Sequence, residues 1–236
     1  MQRQEQIVEM FNQIAPTYDK LNRILSFGVD TSWRVAGISS ILRLINASKL
    51  DILDIACGTG DMLGLWTRLC AEFSKEIQSI RGIDPSEKML EIARAKFAEL
   101  EFIRAGAENL PLNDESADII SISYGIRNVV QRQKALGEFF RVLKNGGFLL
   151  ILEFTKREKG GLLAWGRDFY LSRILPKIGK IVSKNAAAYE YLPSSIEGFL
   201  SADELAKELE NADFALVEVK SFSLGISSAF IAQKCV

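Results

Sequence analysis

The chain has 236 residues, of which 48% are apolar and 25% charged, and 29 Lys and Arg against 30 Asp and Glu leave a formal charge of −1. Against a prior of about 150 residues per domain this suits one domain with elaborations, and the near-neutral balance provides no global field for wrapping nucleic acid. The count of His is zero, which excludes a Ser-His-Asp triad, a Cys-His pair, a histidine general base and any histidine metal ligand.

Residues 1–46 read as helical and precede the first strand. Residues 1–9 are polar, without a secretory signal, and no apolar run approaches the about 18 residues that a membrane span needs. From there, short Ile- and Leu-rich runs alternate with segments of helical period, the pattern of a parallel sheet covered on both faces. Strands are expected at 50–56, 79–83, 101–105, 118–123 and 147–154, and helices at 61–73, 86–98 and 132–144. Met89, Ile92, Ala93 and Phe97 share one face of the second helix, and Leu136, Phe139, Phe140 and Leu143 share one face of the third. Residues 155–200 interrupt the alternation and carry Trp165, Phe169, Tyr170, Tyr189 and Tyr191, so that with 1–46 they form a cover over the carboxyl edge of the sheet. A helix at 201–212 and strands at 215–222 and 228–234 close the chain. Ser86 and Ser201 are expected N-caps, and Ser201 with Glu204 has capping-box spacing. No repeat or linker divides the chain, which reads as one domain: a cap at 1–46, a core at 50–154, a cover insertion at 155–200 and a closing unit at 201–236.

The first strand runs into Cys57-Gly58-Thr59-Gly60-Asp61 and then a helix, a strand, glycine turn and helix N-terminus that lets a ligand approach the backbone. A dinucleotide fingerprint starting at Gly58 would need glycine where Leu63 stands, which weakens a nicotinamide reading. The second strand ends in Asp84, 24 residues after Gly60, where such folds hydrogen-bond ribose hydroxyls. The bland alternative is that the glycines only shape a turn and Asp84 only starts one before Pro85. Cys57, Cys70 and Cys235 make neither a C-x-x-C nor a disulfide framework, no metal site is expected, and a reducing cytosol is the natural setting.

Asp54 to Asp61, reading DIACGTGD, with Asp84, the step Gly106-Ala107-Glu108 and the strand ending in Ser123, resembles the class I S-adenosylmethionine-dependent methyltransferases. That resemblance implies an α/β, Rossmann-like, seven-stranded and mostly parallel sheet with an antiparallel last strand. Gly106 departs from the Asp or Asn usual at its position and would contact a ligand only through backbone.

A closer resemblance spans nearly the whole chain. The blocks MFNQIAPTYDKLN at 10–22, LSFG at 25–28, Trp33-Arg34, YGIRNV at 124–129, RVLKNGG at 141–147, LEF at 152–154 and YEYLPSSI at 189–196 resemble the ubiquinone/menaquinone biosynthesis C-methyltransferases. The resemblance implies methyl transfer from S-adenosylmethionine to a ring carbon of a polyprenylated quinol, demethylmenaquinol or also a methoxy-benzoquinol. Carried over by position, Thr59, Asp84, Gly106, Ala107 and Ser123 would contact the cofactor, with Asp54, Gly58, Gly60 and Glu108 as further candidates. Near residue 229 the family often has a histidine, where this chain reads Gly225 to Phe230 without one.

Such chemistry needs alignment and proton release rather than a metal or a covalent nucleophile. Arg127 is the candidate for electrostatic activation of a quinol oxygen, Asn128 for orienting it, and Tyr18 and Asp19 for closing the site. The alternatives are that Arg127 pairs with a carboxylate and that Tyr18 is a core aromatic. Residues 156–184 hold eight basic against two acidic residues with interleaved apolar ones, which suits either peripheral contact with anionic membrane on its cytoplasmic face or an ordinary cover helix. Rival readings are a methyltransferase for another small aromatic or lipid acceptor, an RNA methyltransferase supported only by that basic segment, and a non-catalytic cofactor-binding scaffold. The family is often homo-oligomeric, but no symmetric patch is legible here.

Overall fold

The computed structural model describes residues 2–26, 28–156 and 186–235. Seven strands form one sheet in the order β3-β2-β1-β4-β5-β7-β6. In chain order these are β1 (Lys49–Ile55), β2 (Glu76–Asp84), β3 (Glu101–Arg104), β4 (Ala117–Ser123), β5 (Leu143–Phe154), β6 (Phe214–Phe222) and β7 (Ser227–Lys234). The first five pair in parallel, while β7 runs antiparallel to both β5 and β6. The expected mostly parallel sheet with its antiparallel last strand is therefore present.

Each central strand buries both faces, which is why the sequence shows continuous Ile and Leu runs rather than alternation. Leu50 and Ile52 of β1 pack with Leu150 and Leu152 of β5 on one side, and Leu53 and Ile55 pack with Leu149 and Ile151 on the other. Helices α4 (Asp61–Glu72), α5 (Glu87–Lys96) and α6 (Arg132–Val142) fill the crossovers between parallel strands, and α8 (Ala202–Asn211) leads into β6. Ser86 caps α5 by accepting from Met89 N–H, and Ser201 and Glu204 close a reciprocal capping box at α8.

The N-terminal residues are helical but divide their work. Helix α1 (Gln2–Ile14), a short 3-10 turn (Ala15–Thr17) and α2 (Tyr18–Ser26) lie beside α5, with Ile14 and Ala15 packed on Met89. Helix α3 (Val29–Leu44) is not part of the cover. Its Trp33, Ile38, Ile41 and Leu42 are buried against the sheet at β5 and β7, beside α4, because its apolar residues suit a core layer. On the C-terminal side, α7 (Ala186–Glu197) sits against the turn that follows β4, and the aromatic and basic residues expected to form the cover at 157–185 lie outside the described residues.

Several boundaries shift from the sequence expectation, β2 beginning three residues early at Glu76 among them, and two of the shifts have a visible physical cause. Helix α5 stops at Lys96 because Phe97 leaves helical backbone, and its ring packs over Gly60 and Gly64, where an added Cβ would come within 3.0 Å of it. Strand β5 begins at Leu143, four residues early, because Gly146 with φ of +79° lets the chain bulge between the pairs Ala117–Leu143 and Ile119–Phe148.

Two helical glycines give a test of this packing. A Cβ on Gly37 of α3 would lie 2.9 Å from Leu150 Cδ1, whereas a Cβ on Gly137 of α6 would meet nothing within 4 Å. Gly37→Val should destabilise the protein by about 1–3 kcal/mol through overpacking. Gly137→Ala should instead stabilise it by about 0.5–1 kcal/mol through lost unfolded-state entropy. Urea denaturation of the two variants beside the unaltered chain measures both.

Candidate functional site

The order of strands reverses between β1 and β4, and in such sheets a crevice opens at the carboxyl ends at that point. Both strands leave the sheet through left-handed residues, Ala56 with φ of +51° and Tyr124 with φ of +58°. Such backbone costs about 1–3 kcal/mol at a residue other than glycine and marks functional sites. The two exits press together: a Cβ on Gly125 would fall 2.6 Å from the Ala56 Cβ, so residue 125 has to be glycine. Tyr124 is held by stacking on Phe154 at 4.5 Å and by a hydrogen bond between its hydroxyl and Ser227 Oγ at 3.2 Å.

A cleft opens above these exits. Its floor and walls include Gly58, Asp84, Gly106, Ala107, Glu108, Ser123, Asn128 and Tyr18, so eight of the residues expected at the site converge there. Gly58, with φ of +55°, brings bare backbone to the cleft. Its N–H donates to Asp84 Oδ2 at 2.9 Å, and Ser86 N–H donates to Asp84 Oδ1 at 2.8 Å. Each carboxylate oxygen keeps a lone pair for a ligand hydroxyl. Burial pushes the Asp84 carboxyl up to about 6, against the pull of those two N–H donors.

Other expected residues lie outside the cleft lining and serve it from behind. Asp54 is buried under the glycine loop, where it accepts from Ser121 Oγ at 2.7 Å, and Trp66 Nε1 donates to the same hydroxyl at 3.0 Å. Thr59 turns its hydroxyl to Asp19 at 2.5 Å, and Asp19 also pairs with Lys96, so these three residues latch α2 onto the glycine loop and α5. Gly60, with φ of +88°, faces Phe97. Arg127 takes the paired alternative: its Nη1 lies 2.6 Å from the fully buried Glu153 carboxylate and donates to Tyr124 O at 2.6 Å. Beside it, Asn128 Oδ1 accepts from the Tyr191 hydroxyl at 2.9 Å.

The sequence reading placed α1 in the cover over the carboxyl edge without naming its contacts, and gave Arg34 no role. Helix α1 is a strap across the cleft. Gln4 Oε1 accepts from Val130 N–H at one end, Asn12 Oδ1 accepts from Ser86 Oγ and Lys88 N–H at the other, and Ile7, Val8 and Phe11 face the cleft between them. The spacing of Ile7, Val8 and Phe11 at i, i+1 and i+4 was the available signal. Arg34, buried and paired with Asp30, donates from Nε to Ser123 Oγ at 3.2 Å and lies 5.3 Å from the Tyr124 ring centroid. Tyr18 closes the cleft from α2. Burial raises its phenol, while a hydrogen bond with Asn22 and the charges of Arg127 and Arg34 oppose that rise.

The arrangement suits a nucleoside: a hydroxyl-binding carboxylate, glycine backbone on one side of it, and the apolar Pro85, Met89 and Ala107 on the other. Among the described residues no cluster of acidic or cysteine side chains is fit to hold a metal ion.

The family model described as the ubiE/COQ5 methyltransferase family matches residues 1–234. The ubiquinone/menaquinone biosynthesis C-methyltransferase UbiE of Campylobacter jejuni is 62% identical, over 99% of this chain and 100% of its own. The demethylmenaquinone methyltransferase of Chlorobaculum tepidum is 35% identical, over 97% of this chain and 92% of its own. A solved structure of an S-adenosylmethionine-dependent methyltransferase from Thermotoga maritima shares the fold with a TM-score of 0.59 at 22% identity, covering 94% of this chain and 98% of that one.

The buried Asp54 carboxyl gives a pH test. Burial pushes it from 3.8 up to about 7, against its hydrogen bond from Ser121 and the charge of Arg34. Between those values the folded chain holds a proton that the unfolded chain has lost, so this group's contribution to stability falls as pH rises through that window. Asp54→Asn should flatten the part of the stability profile between about pH 4 and pH 7, as read by urea denaturation across pH.

Proposed function

Since the chain belongs to the ubiE/COQ5 methyltransferase family, we propose that it methylates a ring carbon of a polyprenylated quinol with S-adenosylmethionine, and that demethylmenaquinol is the acceptor. The observation that carries this reading is the Asp84 cradle. A carboxylate pinned by Gly58 and Ser86 N–H groups, flanked by glycine backbone, fits the ribose and the chain beyond it. The names of the two relatives support the acceptor class.

When bound, S-adenosylmethionine supplies an electrophilic methyl group on a sulfonium, so the chain's own task is binding, alignment and exclusion of water. Asp84 accepts from the ribose hydroxyls, and Gly58 admits the ligand against its backbone. Gly106 and Ala107 border the base. Ser123, oriented by Arg34, and Asn128, oriented by Tyr191, present polar atoms at the β4 end of the cleft. In this reading Asn128 and Tyr18 meet the acceptor ring and its hydroxyl. Arg127 acts as a positioning residue, because its bonds to Glu153 and to Tyr124 O hold the turn (Ile126–Asn128) that carries Asn128. Its charge also adds to the positive potential near Tyr18. The α1 strap keeps water from the reacting atoms.

No helix among the described residues is long and apolar enough to cross a membrane. A polyprenyl acceptor partitions into lipid, and the basic, apolar-interleaved sequence at 156–184 supports peripheral contact with an anionic bilayer. Flotation of the full chain with vesicles should therefore rise with the anionic lipid fraction and fall with salt. Flotation that ignores lipid charge would remove the electrostatic contact.

The activity test is transfer of label from S-adenosylmethionine to chemically reduced, short-chain demethylmenaquinone in detergent. The expected result is a singly methylated naphthoquinol. In the same assay Asn128→Ala should lower kcat by roughly tenfold or more while leaving the Kd for S-adenosylhomocysteine within about twofold. Cofactor binding without transfer to this acceptor or to a reduced benzoquinone intermediate would overturn the proposed reaction.

A further inference from the structure

A Cβ built on Gly106 would fall 2.7 Å from both carboxylate oxygens of Glu108. The Glu108 side chain thus stands in the space that a side chain at residue 106 would need. Local backbone causes this: Asn109 N–H donates to Gly106 O at 3.2 Å, and the turn brings residue 108 back over residue 106. Both residues line the cleft. Glu108 is half-buried, and among the described residues its carboxylate makes no hydrogen bond and no ion pair. Asp84, by contrast, has a backbone donor on each oxygen. The Glu108 oxygens are therefore open to water or to a ligand's N–H or O–H, with no protein donor to displace.

The order of the strands says which part of the ligand that donor belongs to. The glycine loop follows β1, Asp84 ends β2, and Gly106 follows β3, in the spatial order β3-β2-β1. A nucleoside with its ribose hydroxyls on Asp84 and its 5′ substituent on the glycine loop turns its base toward the loop after β3. There Pro85, Met89 and Ala107 offer apolar surface to a flat ring, and Glu108 lines the same part of the cleft. Among purines, adenine carries an exocyclic amine that donates, whereas hypoxanthine carries an oxygen that accepts.

We propose that the Glu108 carboxylate accepts a hydrogen bond from the exocyclic amine of the cofactor's adenine, doing from residue 108 what the missing side chain of Gly106 cannot do. The proposal rests on the cleft being the S-adenosylmethionine site. It makes Glu108 a binding residue that selects a 6-amino over a 6-oxo base.

Calorimetric titration of the full chain with S-adenosylhomocysteine and with its 6-oxo counterpart, S-inosylhomocysteine, tests it. The unaltered chain should prefer the amino ligand by about tenfold or more, because the oxo ligand leaves the carboxylate facing an oxygen. Glu108→Ala should weaken the amino ligand about tenfold and leave the oxo ligand little changed, so that the preference collapses. Glu108→Gln, nearly isosteric, should bring the oxo ligand level with the amino ligand or ahead of it, since its amide donates. Gly106→Asp with Glu108→Ala should recover the amino preference, since the carboxylate at residue 106 would occupy the space that Glu108 leaves. An unchanged preference in Glu108→Gln, or an equal loss of both ligands in Glu108→Ala, overturns the assignment. Failure of the unaltered chain to bind S-adenosylhomocysteine at all would instead overturn the cofactor reading beneath it.

Discussion

One buried carboxylate joins the parts of the site. Asp84 receives Gly58 N–H on one oxygen and Ser86 N–H on the other, so the loop after β1 and the start of α5 after β2 are fixed to a single side chain. Ser86 in turn caps α5 and donates its hydroxyl to Asn12 of the α1 strap. The glycine loop, the β2 edge and the strap therefore depend on one another through two consecutive polar contacts. Hydrogen bonds to a charged acceptor contribute about 1.5–3 kcal/mol each. Burial works against them, which is why the carboxyl rises to about 6 rather than falling below its ordinary value. A ligand hydroxyl would add a donor to a group that is already oriented, so little ordering remains to be done on binding.

The second support of the cleft is strain held in place by packing. Ala56 and Tyr124 adopt left-handed backbone side by side, and Gly125 lets the two exits approach more closely than any side chain would permit. What fixes Tyr124 is the stack on Phe154 and the bond to Ser227, one contact from β5 and one from β7. Beneath Ala56, Asp54 is tied to β4 through Ser121 and on to α4 through Trp66. The antiparallel strand β7 thus contributes to the mouth of the site, although it lies two strands away from β4.

Much of this was legible in the sequence because its signals are local. The Ile and Leu runs gave both-face burial, the glycine turn and Asp84 gave the crevice, and Ser86 and Ser201 gave helix starts. What stayed hidden depends on partners far along the chain. Arg127 finds Glu153 through the pairing of β4 with β5, and Thr59 finds Asp19 only once α2 folds over the loop. Neither pairing has a spacing that a sequence displays. Helix α3 was read as cover because it precedes the first strand, but order along the chain does not say which layer a helix joins. Phe97 continued a helical period and yet left the helix, because two glycines of a different element offered its ring a flat surface.

The electrostatics of a site without histidine follow from how its charges are paired. Among the described residues, Arg34 has Asp30, Arg127 has Glu153 and Lys96 has Asp19, so each of these cations beside the cleft is matched by a carboxylate. An unmatched cation there would repel a sulfonium, which carries its own positive charge. The acidic groups on the other side are less evenly matched: among the described residues Asp84 is held by two backbone donors and no cation, and Glu108 has no donor. The cleft is thus arranged to favour a cation over a neutral ligand of similar shape. Methyl transfer converts the sulfonium to an uncharged thioether, so the same field that favours binding of the reactant holds the product less strongly. A site built in this way couples the chemical step to release through charge alone, which is consistent with a chain that contains no imidazole.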